Sequence, residues 1–203
     1  MYPILLQLGD NMKNTLILGL SLFLINSCAQ VVSTNSTIND FVMMGVKTNS
    51  KVNVNYNFKS DLSNEHFVMM GSLKATTNAN TTFKGMLDEF MGSKFLNLSG
   101  EDYTFVVTLK ECDISQKMDN SAGNVLMAIS SYGGEASVIS KTKVLVSIKG
   151  NGVDEVKMIN VSAEQNYNTV NNEGMNRIYG NVMNKSYNKV LAQLNAFIES
   201  FEI

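Results

Sequence analysis

Few residues of this sequence could serve as nucleophiles or general bases. His66 is the single histidine among the 203 residues, and Cys28 and Cys112 are the only two cysteines. A Ser-His-Asp or Cys-His site would need His66 as its base. No helix N-terminus or cationic cluster lies near Cys112 in the sequence to activate its thiol. We therefore expect a surface position for His66, a structural role for Cys112 and no catalytic residue.

Neighbouring carboxylates are the remaining candidates for acid–base chemistry. Three such pairs occur, Asp88-Glu89, Glu101-Asp102 and Asp154-Glu155, and each is predicted on an exposed helix face or at a strand end. One histidine and one free cysteine cannot form a zinc site of the usual ligand types. Asp119–Asn124 resembles the start of a calcium loop but lacks the glycine at its sixth position and the late glutamate. The sequence therefore predicts no metal site, no cofactor and no enzymatic activity.

The segment from Lys13 to Cys28, near the N-terminus, indicates where the protein is located. Lys13 precedes an apolar run, Leu16–Ile25, which is shorter than the about 20 residues that a bilayer-spanning helix needs. A cation, a short apolar core and a small polar exit are typical of a secretory signal. The alternative interpretation is a buried apolar helix that ends in cysteine.

The exit of this segment, Ile25-Asn26-Ser27-Cys28, resembles the lipobox of bacterial lipoproteins. An aliphatic residue stands three positions before the cysteine, and a small residue stands directly before it. The resemblance implies cleavage before Cys28 and acylation of both its sulfur and its new amine. It also implies attachment to a membrane through the acyl chains on Cys28.

The predicted domain organisation follows from this signal. Residues 1–27 are the signal peptide, in which 1–11 precede a better start at Met12-Lys13 and are a mis-called start or an extended n-region. Residues 28–40 are a lipidated tether, because Ala29–Asp40 is polar and rich in Ser, Thr and Asn. Residues 41–203 are a single α+β domain, a length that suits one hydrophobic core.

Apolar periodicity predicts the elements of this domain. Lys51–Lys59 alternates apolar residues with asparagines, as expected of a strand with one buried face. Thr82–Leu98 and Glu173–Phe201 carry apolar residues at helical spacing. Gly150-Asn151-Gly152 is predicted to form a tight turn, and Tyr132-Gly133-Gly134 another. The other predicted strands are Phe41–Val46, Tyr103–Cys112, Val125–Ser130, Ser137–Lys149 and Val153–Glu164.

The pentapeptide Phe-Val-Met-Met-Gly occurs twice, at Phe41–Gly45 and Phe67–Gly71. Two copies do not make a solenoid, which needs three or more stacked units. We interpret them as related strands of one sheet. The functional alternative is a pair of Met-rich strands that form an adaptable apolar groove.

These elements predict an α+β fold. It is expected to be a mainly antiparallel sheet of about six to seven strands with helices, including the long C-terminal one, packed on one face. The apolar side of the closing helix is expected to cover the sheet, with Arg177, Asn181, Lys185, Asn188, Asn195 and Glu199 on its polar side. The formal net charge of −2 offers no electrostatic case for nucleic acid binding.

This order of elements is similar to that of small Gram-negative envelope lipoproteins, such as the auxiliary lipoproteins of lipid-transport ABC systems. The resemblance implies a lipid-anchored, non-enzymatic binding or scaffold protein on the periplasmic side of the outer membrane. Ala29 is not the aspartate that commonly marks inner-membrane retention in that family. An envelope protein or an apolar ligand is the expected partner. The alternative is an envelope hydrolase whose carboxylates converge only in three dimensions.

Overall fold

The computed structural model describes residues 30–32, 49–63, 66–70, 73–118, 136–167 and 172–203. The chain divides into two compact units, 1–30 and 31–203. The two helices and the main sheet described below belong to the second unit. The elements follow in the order β1 (Gln30–Val32), β2 (Asn49–Ser60), β3 (His66–Met70), β4 (Leu73–Thr77), α1 (Ala79–Lys94), β5 (Phe95–Asn97), β6 (Tyr103–Met118), β7 (Ala136–Gly150), β8 (Val153–Tyr167) and α2 (Asn172–Glu199).

The main sheet has five strands in the spatial order β5-β2-β6-β7-β8, and β3 and β4 pair antiparallel in a smaller sheet. The expected α+β class and the long C-terminal helix are confirmed. The expected strand count and the mainly antiparallel character are wrong in detail, because β2 runs parallel to both β5 and β6. Parallel neighbours require a crossover connection, and α1 lies between these strands in the sequence. The predicted strands at Phe41–Val46 and Val125–Ser130 and the turn at Tyr132-Gly133-Gly134 lie outside the described residues.

Several element boundaries differ from those that the apolar periodicity predicts. The first helix ends at Lys94, not Leu98, because Phe95 adopts an extended conformation (φ −123°, ψ 127°) and begins β5 beside β2. Strand β6 continues past Cys112 to Met118, since β7 pairs with it along that whole length. Strand β2 matches its prediction: Val54 is buried, and the alternating asparagines are exposed.

The turn between β7 and β8 lies at the position predicted from Gly150-Asn151-Gly152. Asn151 (φ 44°) and Gly152 (φ 83°) both have positive φ, as a two-residue type I′ turn requires. At Gly150 a Cβ atom would clash with the carbonyl oxygen of Asp102, so a side chain cannot fit there. The turn fixes the register of the hairpin, which pairs Gly150 with Val153 and continues to Ala136 and Tyr167.

Both helices pack against the same face of the main sheet. Phe83 of α1 packs edge-on against Tyr187 of α2, with ring centroids 5.3 Å apart, and Tyr187 contacts Cys112 of β6. Two residues that the helical pattern assigned to the polar side of α2, Asn188 and Asn195, are buried. Their side-chain amide nitrogens donate to the Asn184 carbonyl and the Glu199 carboxylate, so both nitrogens have a hydrogen-bond partner. The fully buried residues of α2 are Tyr179, Val182, Met183, Ser186, Tyr187, Val190, Leu191, Leu194 and Ile198.

Among the described residues, no helix is both long and apolar enough to cross a membrane.

The position of α2 on the sheet gives the first testable prediction. Leu191 is fully buried, and Leu191→Asp should lower the free energy of unfolding by several kcal/mol because it buries an unpaired charge. Gln193 is exposed on the same helix, and Gln193→Asp should change the stability by no more than about 0.5 kcal/mol. Thermal melts followed by circular dichroism compare the two variants. Equal melting temperatures would contradict the packing of α2 on the sheet.

Candidate functional site

The thiol of Cys112 lies in the core between β6 and α2. Its Sγ atom is 3.2 Å from the hydroxyl of Tyr187, and both side chains are fully buried. Burial raises the pKa of Cys112 to about 11, and hydrogen bonds with Tyr187 and Thr142 offset only part of this effect. A thiol that is protonated at neutral pH and closed to solvent does not act as a nucleophile.

A row of buried hydroxyls continues from this thiol along β7. The Ser186 hydroxyl donates to the Met183 carbonyl at 2.8 Å. Its oxygen lies 3.1 Å from Ser140 Oγ and 2.8 Å from Thr142 Oγ1, so those two hydroxyls can donate to it. No histidine or carboxylate of the described residues joins this row in a hydrogen bond. The arrangement therefore fixes the helix on the sheet, and it does not form a catalytic triad.

The three acidic pairs do not form one carboxylate cluster. Asp88 lies on α1 and forms an exposed ion pair with Lys84. The other two pairs lie at the same end of the sheet, where Asp102 accepts hydrogen bonds from the backbone and side-chain amides of Asn53 at 2.8 and 2.9 Å. Asp154 accepts from Lys149 at 3.2 Å. Within the described ranges no three His, Cys, Asp or Glu side chains come close enough to hold a metal ion.

Other candidates from the sequence have only partial descriptions. His66 begins β3, where its backbone pairs with Thr77 of β4. The second Phe-Val-Met-Met-Gly copy supplies the strand residues Phe67–Met70 of β3. The first copy, the lipidation site Cys28 and the loop Asp119–Asn124 lie outside the described residues, so those predictions stay predictions.

The outer face of the sheet, opposite the helices, carries a shallow depression of about 350 Å³. We call it the outer depression, and its polar lining is Glu111 of β6, Lys141 and Lys143 of β7, and Asn160 and Ser162 of β8. Its side chains offer positive, negative and neutral hydrogen-bonding groups to a polar ligand or to a protein surface.

One ion pair organises the outer depression. Lys143 donates to Glu111 at 2.7 Å, and this hydrogen bond lowers the pKa of Glu111. A β-bulge at Lys110 brings the two side chains to one register position, and Lys110 itself pairs with Asp61 at 2.7 Å. This site is not among the candidates that the sequence predicts. The signal was present in the predicted glycine turn, whose register places Lys143 beside Asn160 and Lys141 beside Ser162.

The buried thiol predicts a pH dependence of stability. The folded-state pKa of Cys112 is raised to about 11. The protonated thiol therefore contributes its full stabilisation to the free energy of unfolding below the ordinary thiol pKa. This stabilisation is lost as the pH rises through about 11. The wild type should therefore lose about 2 to 3 kcal/mol more of its unfolding free energy between pH 8 and 11 than Cys112→Ser. Urea titrations at fixed pH measure this difference. Parallel pH profiles of the two proteins would contradict the burial of the thiol.

Comparison with known proteins gives weak structural likenesses only. No protein-family model matches the chain, and no curated protein matches it. A minor lipoprotein from Acinetobacter baumannii has 14% identity and a TM-score of 0.39, over 69% of this chain and 92% of that one. Rare lipoprotein B from Shewanella oneidensis has 8% identity and a TM-score of 0.44, over 72% and 99%. A protein from Xanthomonas campestris has 10% identity and a TM-score of 0.47, over 85% and 99%. Likenesses at this level do not assign the chain to a family.

Proposed function

We propose that this protein is a lipid-anchored component of a bacterial envelope that acts by binding a partner and performs no catalysis. Its acyl chains are attached to Cys28, and its α+β domain faces the periplasm from the outer membrane. The partner is an envelope protein or an apolar ligand. The lipobox-like segment at Ile25–Cys28 supports the anchor, and the chemistry of the folded domain supports binding.

The single observation that supports lipidation at Cys28 is the burial of the other cysteine, Cys112. The chain has two cysteines, and Cys112 is fully buried with its thiol against Tyr187. An acyl chain cannot be attached there without opening the core. Cys28 is therefore the one candidate for lipidation, and it directly follows the signal-like segment. Two acyl chains give stable attachment where a single chain is marginal.

The distribution of chemical groups supports binding as the mode of action. The Cys112 thiol is enclosed, whereas Asp88, Asp102 and Asp154 each accept a hydrogen bond or form an ion pair at the surface. The outer depression, in contrast, presents charged and polar side chains on a sheet face that the helices leave open. A partner that contacts this face meets a rigid surface, because the strands beneath it are paired along their length.

Lipidation can be tested directly. Metabolic labelling with an alkyne fatty acid should tag the wild type, and Cys28→Ser should abolish the tag because it removes the acyl acceptor. Cys112→Ser is the matched control and should be labelled like the wild type. Fractionation of the envelope should place the labelled protein with the outer membrane. Labelling that survives Cys28→Ser would refute the anchor.

Non-catalytic action can be tested with the two residues best suited to chemistry. A His66→Ala, Cys112→Ser double variant should restore the phenotype of a deletion strain, since neither side chain is assigned a reaction. Circular dichroism establishes that the variant is folded. Loss of function in a folded variant would show that one of these side chains takes part in the activity.

A further inference from the structure

Strand β8 leaves an open edge on the main sheet. It is the last strand of the sheet order, and its hydrogen-bonded neighbour is β7. Within the described part of the chain, no strand pairs with its other side. Residues 154–158 are all exposed, including Val156 at 59% and Met158 at 43% of their surface. Unpaired strand edges are templates for pairing with another chain.

The β7–β8 turn determines which backbone groups face this edge. In a two-residue turn the first and last residues exchange a hydrogen bond, so Val153 bonds to Gly150 of β7. Hydrogen-bonded and non-hydrogen-bonded positions then alternate along an antiparallel pair. The backbone groups of Asp154, Val156 and Met158 therefore point away from β7, toward the open edge.

A lysine closes the edge farther along the strand. Lys189 of α2 donates to the carbonyl oxygen of Ser162 at 2.7 Å. A new strand would compete with this contact, so the stretch available for pairing is Asp154–Asn160.

We propose that Asp154–Met158 pairs antiparallel with the same stretch of a second copy of this chain, around a two-fold axis at Val156. Charge complementarity selects this register. With Val156 opposite its own copy, Glu155 of each chain lies opposite Lys157 of the other. These are non-hydrogen-bonded positions, where facing residues come closest, with Cα atoms about 4.5 Å apart. Opposite charges at such positions stabilise strand pairing.

Neighbouring registers are unfavourable. An axis at Asp154, Glu155 or Lys157 would place identical charges directly opposite each other, which destabilises the pair. An axis at Met158 would place Asp154 against Ser162, whose carbonyl Lys189 already occupies.

Apolar contacts support the same register on the outer face. The side chains of Val156 and Met158 point to that face, because successive residues of a strand alternate between its two sides. Lys157 points to the other side, where its ammonium lies 4.8 Å from the ring centroid of Phe197 of α2. The axis at Val156 brings the two exposed valines together and places each methionine diagonal to the valine of the other copy. The pairing uses only β8, so it does not depend on the lipid anchor.

Disulfide trapping in the purified full chain tests the pairing. Facing Cα atoms in a hydrogen-bonded pair are about 5.5 Å apart, a separation that a disulfide can bridge. Val156→Cys should therefore form a covalent dimer on mild oxidation. Leu96→Cys is the control, because Leu96 is 70% exposed on β5 at the opposite edge of the sheet. The parent chain, which keeps Cys28 and Cys112, gives the background rate. Cross-linking of Val156→Cys no faster than of Leu96→Cys would overturn the proposal.

Charge exchange tests the register. In the Val156→Cys background, Glu155→Lys or Lys157→Glu alone should slow cross-linking by about tenfold, because each creates like-charge pairs on both sides of the axis. The double exchange Glu155→Lys, Lys157→Glu should restore the rate. A mixture of the two single variants should also restore it, because each lysine of one chain then faces a glutamate of the other in the mixed dimer. Rates that stay low in both rescue experiments, with circular dichroism unchanged, would refute the register.

Discussion

The architecture depends on how α2 is held on the sheet. Apolar burial provides most of the free energy but is not directional, so it does not by itself fix the position of the helix along the strands. Two consecutive residues of α2 fix this position through directional hydrogen bonds. Ser186 contacts Ser140 and Thr142, and Tyr187 contacts Cys112. A shift of α2 by one turn would leave these buried groups unpaired, at a cost of about 1–3 kcal/mol for each group. One register of the helix is therefore strongly preferred.

The position of α1 follows from that of α2. Phe83 packs against Tyr187 on one side and against Phe58 of β2 on the other, where the ring centroids are 6.2 Å apart. Lys94, at the end of α1, is almost fully buried. Its Nζ atom lies 3.4 Å from Oε1 of the half-exposed Glu199, the last residue of α2. This pair ties the two helix ends together and gives a buried cation an anionic partner. Since α1 also connects β2 to the strands that run parallel to it, its placement permits the mixed sheet.

Local signals predicted much of this fold, and the errors arise where distant residues decide. The alternation in Lys51–Lys59 and the glycine turn at Gly150–Gly152 depend on neighbouring residues, and both predictions hold. The apolar period of α1 continues into Phe95, but pairing with β2 pulls that residue into a strand. Asn188 and Asn195 are a different kind of error, because an apolar period does not show that a polar residue of α2 is buried. Their amide nitrogens donate to partners only four residues away, Asn184 and Glu199. The contact of Cys112 is set by a distant residue, because Tyr187 lies 75 residues away.

The two faces of the sheet differ in what covers them. The inner face carries the thiol and the hydroxyl row, and the two helices close it, so its polar groups are used in holding the fold. The outer face carries Glu111, Lys141 and Lys143, and neither α1 nor α2 covers it. Strand β8 belongs to both, because Ile159 and Val161 face the core while Val156 and Met158 face outward. In the binding role proposed above, side chains of the outer face can change without altering the core that positions them.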